Sequence, residues 1–294
     1  MIRVGINPLT WTNDDLPSLG ADTPLEVCLA EAKQAGYAGI ELGNKFPRDA
    51  AVLGPILERH GLDLVSGWFS GRLLERSVDE ELRALEPHLS LLEALGSRVL
   101  VYAETTGAVH CDRGVGLSRR PVLDPSRWAG FCADLTEVAE RTLGRGVRLA
   151  YHHHMGTVVQ TAREIDLLLQ HTGDAVSLLL DTGHLSFAGE DPTAVARRHS
   201  GRIAHVHAKD YRPAILRDAV HRDLPFLDAV LAGVFTVPGD GAVDYLGLFE
   251  TLRDARYEGW IVVEAEQDPA RAHPLTYARM GRENIASFLE RSGL

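Results

Sequence analysis

Along the chain, short apolar runs alternate with longer stretches in which apolar side chains recur every three or four positions. The runs fall near 3–6, 38–41, 62–66, 98–101, 147–151, 176–180, 202–206 and 260–263. They are apolar throughout rather than alternating, and Gly or polar residues bound them. That is the pattern of strands covered on both faces. The intervening stretches read as amphipathic helices, several with start signals. Thr23-Pro24-Leu25-Glu26 offers a capping box with Pro at the first helical position. Asp124-Pro125 and Asp191-Pro192 each set an acceptor and then a Pro at a helix start. From Trp128 onward, Phe131, Cys132, Leu135, Val138 and Ala139 share a helical face, which makes Cys132 a core thiol.

Eight such β-then-α units in 294 residues predict one closed (β/α)8 barrel domain spanning 1–294, a TIM barrel of α/β class. The rival, an open doubly wound sheet, usually carries a Gly-rich phosphate loop, and neither G-x-G-x-x-G nor G-x-x-x-x-G-K-[ST] occurs. Two connections, 105–123 and 211–243, are longer than a barrel needs and are expected to form a lid or a wall of the site.

Composition narrows the function. Thirty Lys and Arg against 41 Asp and Glu leave a net charge of −11, which disfavours a nucleic-acid partner. No apolar run is long enough to span a membrane, and the chain enters a strand pattern directly from Met1, so no secretory leader is expected. Three cysteines without a C-x-x-C pair make a disulfide framework unsuited to this chain, and the expected setting is the cytoplasm.

In a barrel of this kind, catalytic groups gather where strands end at their C-terminal side. The fifth run ends in His152-His153-His154, the sixth in Asp181-Thr182-Gly183-His184, the seventh in His205-Val206-His207-Ala208-Lys209, and the eighth in Glu264-Ala265-Glu266. Earlier runs end in Asn13-Asp14-Asp15, in Glu41 with Asn44 and Lys45, and in Glu104. Taken singly, each has a plainer reading: a helix cap for Asp181, a hydrogen-bonded core pair for His205 and His207, a solvated strand end for Glu264 and Glu266. Four such features on four successive strands point instead to a divalent cation. The N and O donors suit Mn2+, Co2+, Fe2+ or Zn2+ better than Ca2+. The period of two puts His152 and His154 on one face with His153 turned away, and likewise pairs His205 with His207 and Glu264 with Glu266. Only three lysines occur, and Lys45 and Lys209 lie just past strand ends, where a lysine can do proton chemistry that arginine cannot. Pro238-Gly239-Asp240-Gly241 is a turn signature placed where it could overhang the site.

These residues resemble the xylose-isomerase-like barrel superfamily and, within it, the inosose dehydratases of myo-inositol catabolism. The similarity covers essentially the whole chain. Its carriers are Gly43-Asn44-Lys45-Phe46-Pro47, His152-His153-His154-Met155-Gly156-Thr157, Asp181-Thr182-Gly183-His184-Leu185, Phe235-Thr236-Val237-Pro238-Gly239-Asp240-Gly241 and Val263-Glu264-Ala265-Glu266-Gln267-Asp268-Pro269. The resemblance implies metal ligands at Asp181, His207 and Glu264, with His152 standing where a Glu is usual and His154 as the other option on that strand. It further implies Mn2+ or Co2+, a glutathione requirement, and dehydration of 2-keto-myo-inositol, a small cyclic polyol ketone, to a trihydroxycyclohexanedione. An isomerase or epimerase of a sugar ketone is the alternative, since it would share the metal and the enolate. For proton transfer the available groups are His154, His184, Lys209 and Glu266, with His184 and Lys209 preferred. Lys45, Glu104 and Arg212 are expected to bind ring hydroxyls. Homo-oligomerisation is left open by the sequence.

Overall fold

A computed structural model describes residues 1–294. The eight apolar runs become eight parallel strands because each, buried on both faces, satisfies its backbone only through neighbours on either side. They are β1 (Ile2–Ile6), β2 (Gly39–Leu42), β3 (Asp63–Gly71), β4 (Val99–Glu104), β5 (Arg148–His152), β6 (Ser177–Asp181), β7 (Ile203–Ala208) and, after a short antiparallel ribbon of β8 (Asp210–Tyr211) and β9 (Phe235–Thr236), β10 (Gly259–Val263). The sheet closes in the order β1-β2-β3-β4-β5-β6-β7-β10, with β10 hydrogen-bonded to β1. Helices pack outside it, and the main apolar core fills the space between strands and helices. No helix is long and apolar enough to cross a membrane.

The helical start signals are realised unevenly. Asp191 caps the helix Pro192–Arg198, and Asp124 caps a short turn, Pro125–Arg127, that runs into the helix Trp128–Leu143. The predicted box at Thr23 does not form. Thr23 N–H is spent in a turn on Gly20 O, so Pro24 becomes the cap residue of Leu25–Gln34 and offers no side-chain acceptor. Cys132 and Cys28 are buried, with thiols pushed up to about 12 by that burial, and all three cysteines are free.

Both long connections stand on the C-terminal face of the barrel. The 211–243 segment folds two helices, Pro213–His221 and Phe226–Ala232, around a separate apolar cluster that includes Phe226, Phe235, Phe187 and Met155. It is tied to the 105–123 segment by Ser118, whose N–H and hydroxyl both donate to Asp223, and by Arg113 on Asp228. None of the residues of the Pro238–Gly241 turn lines the cleft of the candidate site. Asp210 holds the turn by accepting from the N–H groups of Gly239, Ala242 and Val243.

Candidate functional site

Four neighbouring strands bring His152, Asp181, His207 and Glu264 together, and His152, His207 and Glu264 line a cleft whose volume is about 610 Å³ counting its open mouth. His152 Nε2 stands 3.6 Å from Asp181 Oδ2, and His207 Nδ1 stands 3.5 Å from the same oxygen and 2.8 Å from Glu264 Oε2. Strand alternation works as expected. His152 and His154 face the cleft, whereas His153 turns away and its Nε2 accepts the N–H of Asp181.

The donor atoms are poised for a cation. His152 Nδ1 donates to the carbonyl of His153, which leaves Nε2 as a bare lone pair. Asp181 spends Oδ1 on the N–H of His184, while its Oδ2 is buried without a hydrogen-bond partner. His207 Nδ1 is likewise buried with no hydrogen bond of acceptable direction, although two carboxylates lie near it. Unpaired buried polar atoms are costly, and two of them converging from different strands fit a divalent ion. His184 also comes within reach of His152, Asp181 and Glu264, but its Nε2 is engaged by lysine. His152 Nε2 comes within 3.6 Å of Asp181 Oδ2, whereas His154 packs its ring 3.9 Å from the His184 ring and donates Nδ1 to Met155 O. Neither His154 nor His207 belongs to the set His152, Asp181, His184 and Glu264 whose donor atoms all lie within 4.8 Å of one another. Of the two fifth-strand options, His152 therefore has the better geometry.

Beside these ligand-capable groups sits a buried proton-handling chain. Lys209 Nζ is 3.0 Å from His184 Nε2 and 3.3 Å from Glu266 Oε2, and it is ion-paired with Glu264. Burial penalises the ammonium, but Glu264, Asp181 and Glu266 outweigh that penalty and raise the Lys209 pKa. Burial raises Glu266 to about 7; Lys209 opposes that rise, while Glu264 and Asp15 add to it. His184 is driven well below the usual histidine range by burial first and then by His154 and Lys209. The walls are aromatic. Phe226 stacks on His184 at 5.5 Å, Phe235 lies 4.7 Å from Lys209 Nζ, and Trp68 meets His152 and His154 edge-on.

The three groups expected to bind ring hydroxyls are held elsewhere, and none lines the cleft. Lys45 Nζ donates to Ala21 O. Glu104 accepts from Thr106 N–H, away from the cleft beside Tyr151. Arg212 is consumed by the carbonyls of Gly233 and Phe235, by Thr236 and by Asp240, and braces the β8–β9 ribbon. The polar lining comes instead from Asn7, Asp14, Asp15, Glu41 and Glu266. Asn7, Trp68 and His110 are absent from the sequence-level candidates. Asn7 directly follows β1 and was accessible to the strand-end rule. Trp68 was hidden because β3 continues to Gly71, and His110 reaches His154 (4.9 Å between rings) from an irregular connection with no periodic signal.

Residues 29–288 match the family described as xylose isomerase-like TIM barrel. Rhizopine catabolism protein MocC of Rhizobium meliloti is 54% identical over 292 residues, spanning 99% of this chain and 90% of that protein. An inosose dehydratase of Geobacillus thermodenitrificans is 43% identical over 286 residues, spanning 97% and 96%. Among solved structures, an L-ribulose 3-epimerase superposes with a TM-score of 0.71 at 20% identity, covering 100% of this chain and 96% of that one, a likeness of fold.

Proposed function

Because the chain belongs to the xylose isomerase-like TIM barrel family, we propose that it is a metal-dependent hydro-lyase. Its substrate on this reading is a cyclic polyol ketone of the inosose type, 2-keto-myo-inositol, which it dehydrates to a trihydroxycyclohexanedione. The observation that carries the reading is the contact of the Glu266–Lys209–His184 chain with the Asp181 and Glu264 carboxylates in one buried cluster, of which Glu264 and Glu266 line the cleft. Identity of 43% to an inosose dehydratase over 97% of this chain supports the same substrate class.

His152, Asp181, His207 and Glu264 would hold the cation; their N and O donors suit Mn2+, Co2+, Fe2+ or Zn2+, and the family resemblance favours Mn2+ or Co2+. Bound there, it would supply Lewis acidity to stabilise negative charge growing on the ketone oxygen. Glu266, with a pKa near neutrality, is the base that takes the proton α to the ketone, because a base is most effective when its pKa lies near the working pH. Lys209, held as an ammonium, gives a proton to the departing β-hydroxyl. His184 accepts from the ammonium with Nε2 on its far side, and Phe226 packs against the face of the ring. His154 closes the wall beside it. Asp14 and Asp15, rather than Lys45, Glu104 and Arg212, are positioned to accept from ring hydroxyls. The cytoplasm is the proposed compartment, in keeping with three unpaired cysteines.

Chelator-stripped protein, returned to Mn2+ or Co2+ and given 2-keto-myo-inositol in D2O, tests the reading by NMR. Metal-dependent dione formation supports it, and parallel samples with and without glutathione decide the thiol requirement. Exchange of the α-proton without loss of water would replace it with an isomerase. If neither event occurs with metal demonstrably bound, this substrate is ruled out.

A further inference from the structure

Glu41 is a carboxylate on β2, a strand that gives no ligand to the proposed centre, yet it is only 3% exposed inside the barrel. Two local irregularities lie beside its contacts, with the extra residue on β3 and on β7. In the β2–β3 pairing Ile40 faces Leu64 but Leu42 faces Gly67, and in β6–β7 Leu178 faces Ile203 but Leu179 faces His205. Each is an extra residue of the kind that re-aims a side chain. Oε1 of Glu41 meets Nε2 of His205 at 2.9 Å and Nε2 of His207 at 3.1 Å, and also accepts from Ser66 Oγ.

A carboxylate that only accepts requires the facing ring nitrogens to carry hydrogen. In the neutral ring that would bind a cation, this puts the His207 proton on Nε2 and the lone pair on Nδ1, the atom that faces Asp181 and Glu264. The second oxygen of Glu41 acts on another ligand. Asn7 Oδ1 accepts the N–H of Leu9 at 2.9 Å, which settles the orientation of the amide. Its Nδ2 then bridges Glu41 Oε2 at 2.7 Å and Glu264 Oε2 at 3.0 Å.

We propose that Glu41 is a positioning residue of the metal centre, orienting His207 directly and Glu264 through Asn7, so that one carboxylate on β2 sets the ligands from β7 and β10. The inference rests on the metal centre proposed above and adds the group that organises it. Partners of this kind in other metal sites are worth about 10–100-fold in affinity.

The test is a Co2+ titration of chelator-treated protein, read by the dissociation constant and by the visible d–d absorption, with no substrate present. In Glu41→Gln the amide must turn its NH2 either toward Asn7 or toward the two imidazole donors, so one set of contacts is lost. The expected result is a dissociation constant about 10–100-fold weaker and a changed d–d spectrum, with Ser66→Ala within threefold of the wild type in affinity and unchanged in spectrum. If Glu41→Gln does not fold, Glu41→Asp withdraws the carboxylate by one methylene and is held to the same result. Wild-type protein that binds no Co2+ would overturn the metal centre and this inference together. Wild-type binding with a folded Glu41 variant within threefold overturns the inference alone, as does an equal loss in Ser66→Ala, which would reduce Glu41 to packing of the barrel floor.

Discussion

Gly183→Ala isolates the placement of Lys209 from its chemistry. A Cβ at Gly183 would lie 2.4 Å from Lys209 Cγ, 2.6 Å from Cδ and 2.8 Å from Cβ. Carbon atoms rest at about 3.5–4.0 Å, so the lysine stem must give by roughly 1 Å. It has nowhere to go: Lys209 is fully buried, Phe235 lies against its ammonium, and Glu264, Glu266 and His184 hold Nζ. Overpacking of this kind costs about 1–3 kcal/mol. Replacing Gly by Ala within the helix Thr182–Phe187 returns about 1 kcal/mol. Net destabilisation is thus about 0–2 kcal/mol, and the fold survives. Catalysis should fare worse, because a misplacement of about 1 Å in a reacting group costs on the order of 100-fold. Steady-state dione formation at saturating metal, beside urea unfolding of the same preparation, measures both. A folded Gly183→Ala protein turning over within threefold of the wild type would refute the role given to the Lys209 position.

With Glu266 as base, kcat/KM should fall tenfold per pH unit below about 7, because only the carboxylate accepts the α-proton. Asn13→Ala removes a hydrogen bond that lowers the Glu266 pKa, so its acid limb should move to higher pH; a limb that stays or moves down contradicts the assignment. Phe226→Ala empties a fully buried site against His184 and should cost about 3–5 kcal/mol, with the 211–243 segment becoming protease-sensitive before the barrel does; uniform loss of protection would argue against a separate cluster. His88 is depressed to about 4, by burial first, with Gly67 O opposing and Arg48 adding to the shift. Between pH 6.5 and 4 the unfolded state therefore binds the proton that the folded state refuses, and stability is lost as pH falls through that window. The ceiling is about 3 kcal/mol, less for a side chain that is not fully buried. His88→Gln should lose less stability between pH 7 and 4.5 than the wild type in urea melts, and equal losses would remove His88 from the account.

The eight strands were legible because a strand buried on both faces must be apolar at every position, a signal that survives without any knowledge of its partners. Where that signal stopped, so did the reading. The third run was expected to end at 66, but β3 continues to Gly71 through Trp68, Phe69 and Ser70, since β4 pairs with it as far as Glu104. The proposed ligands were legible by the same logic, one strand end at a time. Glu41 was visible as a strand end, but its partnership with His207, 166 residues away, exists only once the barrel closes. Arg212 misled for a related reason. A guanidinium near a strand end looks like a ligand for hydroxyls until four acceptors of its own ribbon are found around it.

The plain reading of Asp181-Thr182-Gly183-His184 as a helix start and the chemical reading as a site turn out to describe the same atoms. Asp181 caps its helix with Oδ1, and that choice leaves a buried Oδ2 without a hydrogen bond, facing His152, His207 and Lys209. Thr182 Oγ1 donates to the carbonyl of Lys209 and accepts its N–H, stitching the helix start to the end of β7. Gly183 lacks the Cβ that would strike the lysine stem, and His184, one residue on, meets its Nζ. A cap that used both carboxylate oxygens, or a side chain at the third position, would keep the helix and lose the site. Local helix chemistry at β6 and the position of the lysine on β7 are therefore one constraint, which is why four consecutive residues carry so much information about a cleft assembled from many strands.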